Sequence, residues 1–135
     1  MGRVPEQALA VNVDGKGIVL IVGCGHQTFP KILKRTEALF EEPICGIIGG
    51  FHYAVRGGPI KIMGMCPHEY GGTWKLPWQP VTKEEMQENV KLLKQRNPKI
   101  VVLSPHDSSE TSLETFRTVF PKEYREIKIG QSITI

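Results

Sequence analysis

Three short apolar runs, each broken off by a turn that carries a histidine, constrain this chain more than any other feature. Ile18-Val19-Leu20-Ile21-Val22 ends in Gly23-Cys24-Gly25-His26, Ile44-Cys45-Gly46-Ile47-Ile48 ends in Gly49-Gly50-Phe51-His52, and Ile100-Val101-Val102-Leu103 ends in Ser104-Pro105-His106-Asp107. Runs of four or five apolar residues bounded by Gly and Pro read as buried strands. Helical periodicity separates them, so an α/β fold is expected, with the three runs in one sheet.

The remaining elements follow the same logic. Gln7 to Val13, then Asp14-Gly15-Lys16-Gly17, then the first apolar run read as a hairpin. That run is apolar throughout, so cover is expected on both of its faces. Thr28 and Pro30 look like a helix start, and Ile32, Leu33, Thr36, Leu39 and Phe40 share one helical face, which predicts a helix over 29–41. Thr82 and Glu85 form a capping box ahead of Met86, Val90 and Leu93, and Asn97-Pro98 ends a helix over 82–96. Leu113, Phe116 and Phe120 mark a third helix over 110–120. Ile127-Lys128-Ile129 and Ile133-Thr134-Ile135 read as final strands around Gly130.

Residues 53–80 show no period, and a connection of that length is usually functional or mobile. With 135 residues, the chain is read as one domain, 1–135, with this long loop inside it. The net charge of +3 is spread without a basic block, which gives nucleic-acid binding little support. No apolar run spans a bilayer, and Met1-Gly2-Arg3-Val4-Pro5-Glu6 is not patterned as a signal peptide. A cytoplasmic protein without membrane contact is therefore expected. Three cysteines, an odd number, do not suggest a disulfide framework.

In a parallel sheet, binding residues gather beyond the carboxyl ends of the strands. Three of the four histidines stand at such ends, and neutral imidazole suits zinc, iron and manganese. A single strand-end histidine is more often a capping or hydrogen-bonding residue than a ligand; three placed alike favour a shared site. Cys24 can line that site as a thiolate or fill space as a buried thiol. Cys45 reads as core. Cys66-Pro67-His68 lacks a second ligand pair, and Trp74 and Trp78 read as cover for the core edge. Neither a Gly-x-Ser-x-Gly elbow nor a phosphate-binding Gly-x-x-x-x-Gly-Lys-[Ser/Thr] loop occurs, and Gly23-x-Gly25 lacks the third glycine of a dinucleotide fingerprint.

Glu6-Gln7-Ala8-Leu9 followed by Gly23-Cys24-Gly25-His26 resembles the "EQAL … GLVVITGCSH" segment of one branch of the metallo-β-lactamase superfamily. That branch includes the ribofuranosylaminobenzene-phosphate synthase-like proteins. Ile47-Ile48-Gly49-Gly50-Phe51-His52 is similar to its "VIGGFHL", and Val102-Leu103-Ser104-Pro105-His106 to its "IVPCHCTG". The likeness spans nearly the whole chain. Two departures stand out: His106 is followed by Asp107-Ser108-Ser109 where that branch has Cys-Thr-Gly, and the His-x-His-x-Asp-His motif of the fold's first half is absent.

The resemblance implies the C-terminal half of an αββα sandwich, one mixed sheet with packed helices. It implies part of a metal-dependent hydrolase or synthase, incomplete alone and active only when complemented by the missing N-terminal half. His26 and His106 are the implied metal ligands, with His52 as a substrate or metal contact and Cys24 lining the site. The cofactor is expected to be a divalent metal, zinc ahead of iron or manganese, bound weakly or not at all by the isolated chain, and the substrate a small molecule. The alternative is a non-catalytic module that dimerises or binds a partner through its sheet face. Either way the chain is expected as a homo-oligomer or beside a chain that supplies the other half.

Overall fold

In the computed structural model, residues 6–55 and 81–135 are described. A four-stranded sheet in the order β1-β2-β3-β4 comprises β1 (Ala8–Val13), β2 (Gly17–Val22), β3 (Ile44–Gly49) and β4 (Ile100–Leu103). β1 and β2 form the expected antiparallel hairpin; β2, β3 and β4 run parallel. Val22 lies beside Gly49 and Gly49 beside Leu103, so the three parallel strands finish level with one another. The three histidine turns therefore leave the sheet at a single edge.

Among the described residues, three helices pack with the sheet: α1 (Phe29–Glu37), α2 (Lys83–Gln95) and α3 (Glu110–Val119). Their apolar stripes meet one face of the sheet. Phe29, Ile32 and Leu33, then Met86, Val90 and Leu93, then Leu113 and Phe116 pack with Ile18, Leu20, Val22, Ile47, Val101 and Leu103. Burying each such side chain contributes about 1.5–3 kcal/mol. The capping box at the start of α2 is formed: the Thr82 hydroxyl accepts from the Glu85 N–H at 3.2 Å, and the Glu85 carboxylate accepts from the Thr82 N–H at 3.0 Å.

Some sequence expectations need correction. Thr28 and Pro30 do stand at the start of α1, but Thr28, the N-cap at φ 74°, makes no side-chain cap bond. The helix stops at Glu37 rather than residue 41, and Leu39 lies beyond its end, exposed. No strand forms over 126–135. Ile127 and Ile129 face solvent, where an alternating ribbon has nothing to bury against. The exposed edge of β4 is met earlier, by Tyr124: the Val101 N–H donates to the Glu123 carbonyl and the Arg125 N–H donates to the Val101 carbonyl.

The second face of the sheet is covered unevenly. Val19, Ile100 and Val102 are buried, whereas Leu9, Val11 and Ile21 are exposed by 58%, 38% and 42%. Leu9 pairs with Ile21 and Val11 with Val19, so these apolar side chains share the face turned away from the helices. The full cover expected for β2 thus fails at Ile21. Among the described residues, no helix is long and apolar enough to cross a membrane. Of the long-loop expectations, Cys66, His68, Trp74 and Trp78 lie outside the described residues, while Tyr53, Ala54 and Val55 at the start of that stretch are buried.

Candidate functional site

The site assembles where β2, β3 and β4 end. Glycine is required here by geometry. Gly49 has φ 127°, and a Cβ on it would run into the Val22 carbonyl. Gly25 has φ 69°, and its Cβ would lie 2.7 Å from both the Gly50 carbonyl oxygen and the Phe51 Cα. The turns after β2 and β3 are thus pressed together, with the Gly50 N–H donating to the Gly23 carbonyl at 2.8 Å. Side chains that leave these turns have little room to part.

His26 and His52 are brought into contact, ring centroids 4.8 Å apart at 66°, edge to face. His26 is held from the far side by Glu6. Its backbone N–H donates to Glu6 Oε1 at 3.0 Å, the Gln27 N–H donates to Oε2 at 3.0 Å, and the imidazole Nδ1 lies 3.3 Å from Oε1. A carboxylate at Nδ1 favours the tautomer with the proton there and the lone pair on Nε2. His52 is buried and holds a left-handed backbone, φ 52°, which a non-glycine residue adopts only when its surroundings impose it. Here the His52 N–H donates to Asp107 Oδ2 at 3.3 Å.

Asp107 occupies the position where sequence reasoning saw only a missing cysteine. It is buried, it sits against Gly50 where any side chain would collide with its carboxylate, and Ser108 Oγ donates to Oδ1 at 3.4 Å. Burial pushes its carboxyl pKa up; hydrogen bonds from the His52 backbone, its own backbone and Ser108, and the charge of nearby His106, act the other way. Burial also raises the Cys24 thiol pKa, with the Asp107 and Glu6 carboxylates adding to the effect, which favours the protonated thiol over the thiolate. His106 stands at the same edge on the turn after β4 but is exposed, its backbone N–H donating to Ser104 Oγ at 3.3 Å.

Of the sequence-derived candidates, the structure brings His26 and His52 together and places Cys24 in the same acidic surroundings. Glu6 and Asp107 were missed as site residues. Glu6 lies within the quoted Glu6-to-Leu9 motif, which was the one signal for it, while Asp107 had only its position after a strand-end histidine. The donor types suit a divalent metal, but among the described residues no three His, Cys, Asp or Glu side chains are placed to share one ion. The fit is partial: these residues supply a piece of a coordination sphere. Beside the histidine pair, a cavity of about 320 Å³ opens between the start of α1 and the face of α2 that carries Glu85, Glu88 and Asn89.

No protein-family profile matches the chain, and no curated protein sequence does. The fold is similar to the crystal structure of Tm1679, a metal-dependent hydrolase of the β-lactamase superfamily, with a TM-score of 0.68 and 21% identity. The match covers 95% of this chain and 40% of that hydrolase, so the chain spans less than half the length of the protein it matches. The mixed four-stranded sheet with three helices is thus a fold shared with part of a metallo-β-lactamase superfamily hydrolase.

Proposed function

We propose that this chain forms part of a metal-dependent hydrolase site of the metallo-β-lactamase type, corresponding to the C-terminal half of that fold in the branch its motifs resemble. One observation carries the reading: His26 and His52 touch at the carboxyl edge of parallel strands, in a fold shared with a metal-dependent hydrolase. His26 and His106 would hold the metal, with His52 as a further metal or substrate contact. Bound there, zinc, iron or manganese would supply Lewis acidity to an oxygen of the substrate. Glu6 orients His26, Asp107 fixes the His52 backbone, and the buried Gly50-Phe51-His52 turn keeps bulk water from the back of the site. The cytoplasm is the proposed place of work.

The incomplete ligand set among the described residues and the partly exposed sheet face point the same way. Leu9, Val11 and Ile21 form an apolar strip that a second copy, or a chain supplying the other half, would cover. That strip also favours the second reading, a non-catalytic module that associates through its sheet. Zinc titration followed by calorimetry, with sedimentation on the same sample, separates the two. The hydrolase reading expects zinc binding that depends on His26, and negligible phosphodiester or lactone hydrolysis by the chain alone. Association without any His26-dependent zinc binding favours the interaction module.

A further inference from the structure

β1 is the outermost strand on its side of the sheet, and among the described residues nothing pairs with its outer edge. Its sequence, Ala8-Leu9-Ala10-Val11-Asn12-Val13, carries no charge and no proline, and its register with β2 runs from Ala8 to Val13 without a bulge. Charges, prolines and bulges are what ordinarily keep a bare edge from recruiting another strand.

The helix side of that edge is hollow. Ala8 lies beside Val22 and Ala10 beside Leu20, so both alanines point toward the helices. Their small side chains leave a groove of about 370 Å³ between β1 and α1, whose lining includes Leu20, Ile32, Leu39 and Phe40. A strand added to β1 would place alternate side chains on this side, next to Ala8 and Ala10. Branched apolar side chains two residues apart would fill the groove and cover Leu39, which is now exposed. Main-chain hydrogen bonds from the edge and a pocket for alternate side chains are the two parts of a strand-addition site.

A segment of that kind is present in the same chain. Residues 127–135 carry two Ile-x-Ile arms, Ile127-Lys128-Ile129 and Ile133-Thr134-Ile135, around Gly130. The Gln131 N–H donates to the Lys128 carbonyl across Gly130, φ 79°, yet neither arm enters the sheet, and Ile129 is fully exposed. A two-stranded ribbon is marginal alone and gains stability by joining a sheet. The first arm cannot reach β1 of its own chain. The Arg125 N–H donates to the Val101 carbonyl, which pins Arg125 outside β4, at the opposite edge of the sheet. From there to a place outside β1 is five strand spacings, roughly 24 Å. The four residues from Arg125 to Ile129 span roughly 14 Å at full stretch.

We propose that Ile127-Lys128-Ile129 of one copy adds to the β1 edge of a second copy as a fifth strand, with Ile127 and Ile129 in the groove beside Ala8 and Ala10. This surface is separate from the strip of Leu9, Val11 and Ile21 on the other face, and it does not depend on the hydrolase reading.

Sedimentation velocity over a concentration series, with amide hydrogen exchange on the same samples, tests it. Self-association is expected, with β1 amides exchanging more slowly as concentration rises. Ile129→Lys changes a side chain that is fully exposed in the single chain. It should weaken association about tenfold or more while the melting temperature holds. Ala8→Lys should weaken it from the other side of the contact. Each variant keeps the half that the other lacks, so an equimolar mixture of the two should associate more tightly than either alone. A monomeric parent chain, association untouched by Ile129→Lys, or a mixture no tighter than the single variants overturns the proposal. Zinc binding at His26, read on the same parent sample, decides the hydrolase reading alone.

Discussion

Glu6 grips the turn that carries His26 with both carboxylate oxygens, accepting the His26 and Gln27 N–H groups at 3.0 Å each while Oε1 lies 3.3 Å from the imidazole Nδ1. An outer carboxylate of this kind sets the tautomer of a ligand histidine, and its loss typically costs ten- to a hundredfold in metal affinity. Glu6→Gln is therefore expected to weaken zinc binding by about that factor. It should also shift the His26 ring nitrogens toward a mixed tautomer in ¹⁵N spectra recorded without metal. Unchanged ring shifts would show that Glu6 only staples the backbone.

Asp107 makes a separable prediction. Its folded-state pKa is raised, so the native chain takes up this proton at higher pH than the unfolded chain does. Stability from this group is fully present below the unfolded value near 3.8 and declines as pH rises through the folded value. Asp107→Asn keeps an acceptor for the His52 N–H and removes the titration, so its denaturation midpoint should lose that fall between acid and neutral pH. Asp107→Ala leaves the buried His52 N–H without its acceptor and should cost about 1–3 kcal/mol at every pH. Urea melts of both variants across this range provide the check; parallel pH profiles for Asp107→Asn and the parent chain would refute it.

Backbone demands at the strand ends are equally testable. At Gly15, φ 67°, a Cβ would point into open space with nothing within 4 Å, whereas at Gly49, φ 127°, the Val22 carbonyl blocks one. Gly15→Ala should cost about 1–2 kcal/mol, the left-handed penalty alone. Gly49→Ala should cost more than about 3 kcal/mol or fail to fold, because steric overlap adds to the strain. Equal melting temperatures for the two variants would contradict the tight packing of the β2 and β3 turns.

The parallel core was legible in the sequence because apolar runs between glycines leave few alternatives, and the Thr82–Glu85 box marked the start of α2 by side-chain chemistry alone. The shared edge of the histidine turns followed from the same runs. What was not legible depends on contacts remote in the chain. Glu6 acts on a residue 20 positions away, and Asp107 on one 55 positions away. The ending 127–135 alternates like a strand, but local pattern cannot report that Tyr124 already meets the edge of β4. Leu39 fits the helical period of α1 and lies past its end, since periodicity does not mark where hydrogen bonding stops.

The exposed strip of Leu9, Val11 and Ile21 leads to a prediction about assembly. If this face is covered in the working protein, the chain should self-associate or bind a hydrophobic dye, and Ile21→Lys should reduce both. Sedimentation velocity with a dye titration reads this directly. A monomeric parent chain that binds no dye would remove the case for a covered face.

The measurement that bears most directly on the proposed metal site is a zinc titration of the chain followed by the histidine ring resonances. His26 and His106 should shift together, with His52 beside them, at weak affinity, and His26→Ala or His106→Ala should reduce the response. His68→Ala, outside the described residues, should leave it intact. Zinc binding that His26→Ala leaves unchanged, or that is lost with His68→Ala instead, would contradict a metal site at the carboxyl edge of the sheet.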